Sequence, residues 1–99
     1  MPFWFENYCL DADRRELTCG SELIATGPKV FDLLLFLVEN REQVVTREEI
    51  LQKVWKYNSE VSSRTIDVHI AWLRQKLEEN PQHPKHIHTI RGKGYRFTP

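Results

Sequence analysis

Ser62-Ser63-Arg64-Thr65-Ile66-Asp67-Val68-His69-Ile70-Ala71-Trp72-Leu73-Arg74-Gln75-Lys76-Leu77-Glu78-Glu79 is the most informative stretch of the chain. Ile66, Ile70, Leu73 and Leu77 recur at helical spacing, so one stripe of a helix over 62–79 points at a core. At about 100° per residue, Arg64, Val68, Ala71, Trp72 and Gln75 fall on the opposite side, with Thr65, His69 and Lys76 flanking them. Ser62 is a plausible N-cap, and a new run begins at Asn80-Pro81. The outward face mixes cationic, hydrogen-bonding and apolar groups. Such a face can give charge to phosphates and apolar contact to bases, which suits the major groove of DNA. An ordinary amphipathic surface helix has the same pattern, so the neighbouring segments must discriminate.

Immediately upstream, Thr46-Arg47-Glu48-Glu49 reads as a capping box, with Glu49 three residues after the cap and Ile50, Leu51, Val54 and Trp55 behind it. This predicts a helix over 46–55, joined to the long one by the polar loop Lys56–Val61. Two helices on a short loop, the second with a polar outward face, make a helix-turn-helix in outline. Helical hairpins of other kinds share that outline. Downstream, the prolines of Asn80-Pro81-Gln82-His83-Pro84 forbid a continuing helix. His86–Arg91 then alternates as a strand, Gly92-Lys93-Gly94 turns, and Tyr95-Arg96-Phe97 returns, giving a hairpin over 86–97. Glycines on both sides of Lys93 permit positive φ and hold the lysine at the tip. Arg91, Lys93 and Arg96 make the hairpin cationic. It can serve as a wing touching backbone or minor groove, or it is simply a solvated hairpin.

Further upstream, Thr26 is a candidate cap and Pro28 a tolerated first-turn proline for a helix over 27–40 with apolar residues Phe31, Leu34, Leu35 and Val38. Val44-Val45 is a short extended piece. Residues 1–25 hold short β-favouring segments, Phe3–Phe5, Tyr8–Leu10, Glu16–Cys19 and Glu22–Ile24, broken by turn residues. They are expected to form an antiparallel meander with a structural role.

At 99 residues the chain is one small domain, and eleven aromatics with 40% hydrophobic residues argue for a folded globule. Formal charge is zero, unusual for a nucleic-acid binder, but the charges are segregated. Residues 1–40 hold three Lys/Arg against seven Asp/Glu; residues 62–99 hold seven against three, plus all four histidines. Secretory and membrane-spanning segments are not expected, because Pro2–Asn7 lacks a cationic start and the longest apolar run is Leu33–Val38. Cys9 and Cys19 are too few for a disulfide framework and read as reduced thiols.

Taken in order, Thr46–Leu51 with Val54-Trp55, Arg64–Ile70 with Leu73–Leu77, and Ile90–Phe97 closely resemble the OmpR/PhoB-type winged-helix DNA-binding domain, the effector half of many bacterial two-component response regulators. The match extends over essentially the whole chain, including Phe5–Asp11 and Pro28–Leu34. The resemblance implies an α+β winged helix-turn-helix: a four-stranded antiparallel N-terminal sheet, three helices and a C-terminal hairpin wing. It implies that 62–79 is the recognition helix and that the wing enters the neighbouring minor groove. Lys56, Tyr57, Asn58, Ser59 and Glu60 would form the loop that in relatives can touch RNA polymerase. Carried over by position, Arg64, Thr65, His69 and Arg74 resemble backbone or groove contacts, and Trp55 and Thr89 resemble phosphate contacts through ring N–H and hydroxyl. Arg91 resembles the minor-groove residue. Lys76 and Lys93 belong to the same DNA-facing set, and Val68 and Trp72 are expected to touch bases.

Ala71-Trp72 departs from the family, which often has polar or basic residues there. An arginine would give bidentate readout of guanine; Trp72 offers apolar contact with a thymine methyl and one N–H donor. Altered readout, a shift toward protein contact, and a ring folded back on the domain all remain open. His83, His86 and His88 lie close in sequence without a recognisable ligand spacing, so no metal is expected. Neither a nucleophile–base pair nor a phosphate-cradling glycine loop is present, so neither enzyme activity nor a cofactor is expected. The expected partner is double-stranded DNA carrying direct-repeat half-sites, bound as a tandem dimer, with RNA polymerase a further candidate and a cytoplasmic location. No receiver domain is present in the sequence. The rival reading is a winged helix that has become a protein-interaction module.

Overall fold

The computed structural model describes residues 2–56 and 61–99. Strands β1 (Phe3–Phe5), β2 (Tyr8–Asp11), β3 (Glu16–Cys19) and β4 (Glu22–Ile24) form an antiparallel meander in that order. The period-2 pleat turns Phe3, Leu10, Leu17 and Ile24, paired in register, toward the core. The row on the other face, Trp4-Cys9-Thr18-Leu23, leaves Trp4 and Leu23 each 61% exposed.

Helix α1 (Pro28–Glu39) follows, then β5 (Val44–Thr46), α2 (Arg47–Lys53), α3 (Ser63–Leu77), β6 (Ile87–Ile90) and β7 (Gly94–Phe97). β7 lies between β5 and β6, so the C-terminal hairpin is anchored to the strand that leads into α2. The architecture is the expected winged helix-turn-helix, with a four-stranded sheet, three helices and a terminal hairpin.

Local chemistry accounts for most element ends. The Thr46 hydroxyl accepts from Glu49 N–H and the Glu49 carboxylate accepts from Thr46 N–H, so the capping box is complete. α1 departs from expectation: Gly27, not Thr26, is its N-cap, without a side-chain cap bond. Pro28 at the first turn has no N–H to satisfy, which lowers the need for one. Ser62 is the N-cap residue of α3, but its hydroxyl makes no cap bond either. α2 ends at Lys53, with Val54 closing its last turn onto Ile50 O at 2.9 Å.

The core draws on every element. Ile66, Ile70, Leu73 and Leu77 of α3 are all buried, against Leu33, Leu34 and Leu37 of α1, Ile50, and Ile87 and Phe97 of the hairpin. Each such side chain contributes about 1.5–3 kcal/mol. The apolar face of α1 is displaced from the one its periodicity suggests: Leu33 is fully buried, and Leu35 only half so. A helix packed on several elements buries a broad face, and a single stripe underestimates it.

Gly94 is required by proximity. A Cβ there would lie 2.0 Å from Val45 O, because β7 passes directly against β5. Gly92 supplies the positive φ (+75°) of the hairpin turn, which Lys93 N–H closes on Ile90 O at 2.9 Å.

Candidate nucleic-acid interface

With its apolar stripe sunk in the core, α3 turns Arg64, Val68, Ala71, Gln75 and Lys76 outward, all exposed. Val68, at the centre of that face, is 61% exposed. Trp72 is half-buried; it packs on the core, and the Lys76 ammonium lies 5.4 Å from its ring centroid. The ring is thus folded partly back, without leaving the outward face.

His69 sits at the flank, half-buried, its ring edge-on to Trp55 at 5.2 Å. Its Nδ1 lies 2.8 Å from Thr65 O. A carbonyl oxygen only accepts, so Nδ1 donates that bond. Trp55 is 7% exposed and belongs to the core, so little of its indole is available to a ligand.

Two polar networks fix the hairpin relative to α3. In the first, Arg74 Nε and Nη2 donate to Ile87 O at 3.1 and 2.9 Å, and Nη2 also donates to Thr89 Oγ1 at 2.7 Å. Arg74, expected to face DNA, is thus largely occupied within the protein: it is a strut from helix to wing. Thr89 accepts that bond and keeps its own hydroxyl hydrogen to donate outward.

In the second, Arg47 Nε donates to Asp67 Oδ1 at 3.0 Å and Nη2 to the Tyr95 hydroxyl at 3.3 Å, while Tyr95 O–H donates to Asp67 Oδ1. The Arg47 and Arg74 guanidinium carbons lie 5.1 and 5.8 Å from the Tyr95 ring centroid. Burial, then the bond to Asp67, pushes the Tyr95 phenol above its ordinary value; the bond to Asp67 raises Arg47. Arg47, Asp67 and Tyr95, from α2, α3 and β7, were not singled out by the sequence. Their only signal is an acid on an otherwise basic helix, and they lie 20 and 28 residues apart.

A third link closes the end of the helix. α3 was expected to reach Glu79 but stops at Leu77, and Glu78 turns extended. Its buried carboxylate accepts from the backbone N–H of Lys85, His86 and Ile87 at 2.8, 3.0 and 2.8 Å. These bonds join the end of α3 to the start of the hairpin.

Arg91 and Lys93 project from the exposed turn of the wing. Of the loop assigned to polymerase contact, Lys56 is exposed with φ +54°, and residues 57–60 lie outside the described residues. The three C-terminal histidines do not converge. His86 is buried, with Nδ1 3.0 Å from Thr98 O and its ring against Phe5 and Phe97; His88 Nε2 meets Thr98 Oγ1 at 3.0 Å; His83 is exposed. Among the described residues, no group of three or more His, Cys, Asp or Glu could hold a metal ion, and no helix is long and apolar enough to cross a membrane.

Residues 20–97 match the family model described as "Transcriptional regulatory protein, C terminal". The "Transcriptional regulatory protein YvrH" of Bacillus subtilis is 35% identical over 97 residues, covering 98% of this chain and 41% of that protein. Across the first three curated relatives the chain spans 30% to 41% of their length. Among solved structures, the RstA DNA-binding domain of Klebsiella pneumoniae, in complex with RstA box, is 31% identical with TM-score 0.86, covering 99% of this chain and 97% of that one. The response regulator DrrB of Thermotoga maritima, an OmpR/PhoB homologue, is 37% identical with TM-score 0.89, covering 99% of this chain and 44% of that one.

Proposed function

Because the chain belongs to the family of C-terminal domains of transcriptional regulatory proteins, we propose that it binds double-stranded DNA sequence-specifically as the effector domain of a bacterial two-component regulator. α3 lies in the major groove and the β6–β7 wing reaches the adjacent minor groove. The carrying observation is mechanical: Arg74, the Arg47–Asp67–Tyr95 network and Glu78 hold helix and wing in one fixed relation. The outward cations Arg64, Lys76, Arg91 and Lys93 are left on the exposed side of both. The structural likeness to a domain solved on its own DNA box supports the same reading.

In this arrangement Arg64, Thr65, His69, Lys76 and Thr89 meet phosphates, and Val68 and Trp72 face base edges. Arg91 reaches the minor groove with Lys93 beside it. Arg74 acts chiefly by holding the wing, and Trp55 by supporting His69. A single domain of this size has a modest footprint, so two copies on direct-repeat half-sites supply useful affinity. Control by a phosphorylated receiver domain, contact with RNA polymerase through 56–60, and a cytoplasmic location complete the proposal.

The apolar centre of the α3 face, Val68, Ala71 and Trp72, is what favours the rival, a protein-docking surface. Salt separates the two. Titration with a pool of random duplexes, at about 50 and 200 mM salt, should enrich one motif and lose affinity steeply at the higher salt. Binding that ignores salt, or no enrichment from the pool, would refute the proposal.

A further inference from the structure

Val68 is not explained by folding. A β-branched apolar residue, 61% exposed in mid-helix, buries little area, and its helix propensity is poorer than that of Ala, Glu or Lys. The next turn presents exposed Ala71 and half-buried Trp72, whose ring is steadied by the core and by the Lys76 ammonium. The centre of the outward face therefore carries neither a guanidinium nor an amide. Arg74, the guanidinium at the side of this face, is committed to Ile87 O and Thr89 Oγ1. On this face polar groups return at the two ends, Arg64 at one and Gln75 and Lys76 at the other, with Thr65 and His69 along its flank.

On the edges of base pairs in the major groove, the one apolar group is the C5-methyl of thymine. We propose that this chain reads pyrimidine 5-methyl groups: Val68, Ala71 and Trp72 pack against them at the centre of each half-site. Any guanine or adenine read directly lies toward Arg64 or Gln75. This rests on the DNA-binding reading above and names its ligand class. From Val68 to Trp72 the helix advances about 6 Å, close to two base steps. The apolar centre thus covers about two consecutive base pairs. A 5-methylcytosine presents the same methyl at the same place, so the interface accepts it where it rejects unmodified cytosine.

The test uses the duplex enriched from the random pool. Each thymine is replaced in turn by deoxyuridine, which lacks only the methyl, and each central T·A pair by C·G or 5-methylcytosine·G. Loss of one contacted methyl should weaken binding about four-fold, and 5-methylcytosine should recover about the same factor over cytosine. Val68→Ala, a substitution at an exposed site, should shrink both differences. If deoxyuridine and thymine bind alike at every position, or the enriched centre is G·C without thymine, the inference falls while DNA binding stands. If no duplex is enriched, both fall.

Discussion

Replacing Glu78 with alanine isolates the bond that sets the end of α3 against the hairpin. The carboxylate is 7% exposed and accepts from three backbone N–H groups. Lys85 is exposed, so its amide can be rehydrated, but His86 is 3% and Ile87 0% exposed. Two buried donors are then left without an acceptor, at about 1–3 kcal/mol each, or roughly 2–6 kcal/mol together. Removing a buried carboxylate also relieves its desolvation, but the three donors already offset that cost in the native state, so the orphaned amides dominate. For a domain of this length about 1 kcal/mol moves Tm by roughly 4–8 °C, so Glu78→Ala should lower Tm by at least about 8 °C. Glu78→Gln keeps one carbonyl acceptor and should fall between. Thermal unfolding followed by circular dichroism at pH 7 measures this, with Glu79→Ala, at an exposed position, as a control expected within about 0.5 kcal/mol of the parent. A Tm shift below about 2 °C for Glu78→Ala would show that water replaces the carboxylate, and that Glu78 does not hold the helix–wing junction.

Arg91→Ala should weaken binding to every duplex alike and reduce the log–log salt slope by about one; a change in the ranking of sequences instead would mean that Arg91 reads base edges as well as backbone charge. The Tyr95 phenol is raised above its unfolded value of 10.0 by burial and by its bond to Asp67. The stabilisation this gives is therefore fully present below pH 10 and lost as pH climbs through the higher folded value. Unfolding measured between pH 9 and 11 should show that decline, reduced in Tyr95→Phe. Gly94→Ala places a Cβ 2.0 Å from Val45 O and should cost about 3 kcal/mol or more, whereas Gly92→Ala, with open space but φ +75°, should cost about 1–2 kcal/mol; equal Tm losses would contradict the close β5–β7 approach.

Features that repeat along the chain were readable without a structure. The α3 stripe is legible because helix period and burial coincide: Ile66, Ile70, Leu73 and Leu77 are all buried. The Thr46–Glu49 box is legible because both partners lie within one turn. α1 was read less well, since its broad burial takes in Leu33 and leaves Leu35 only half-buried. Long-range polar pairs leave no local trace. Nothing in the spacing of Arg47, Asp67 and Tyr95 announces a network, and a glutamate after a helix, as Glu78 is, normally reads as solvated. The position of Arg74 on the helix suggests DNA, while its geometry spends donors on Ile87 and Thr89. Exposure of Val68 follows from its angle on the helix; the meaning of that exposure needed the burial and bonding of its neighbours.

Whether α3 and the wing together form the DNA surface is tested by amide hydrogen exchange of the domain with and without the enriched duplex. The account predicts slowed exchange within 63–77 and 86–97, and none within 3–24, on the four-stranded sheet. Protection concentrated on that sheet, with Arg64–Lys76 and Arg91–Lys93 unchanged, would contradict it.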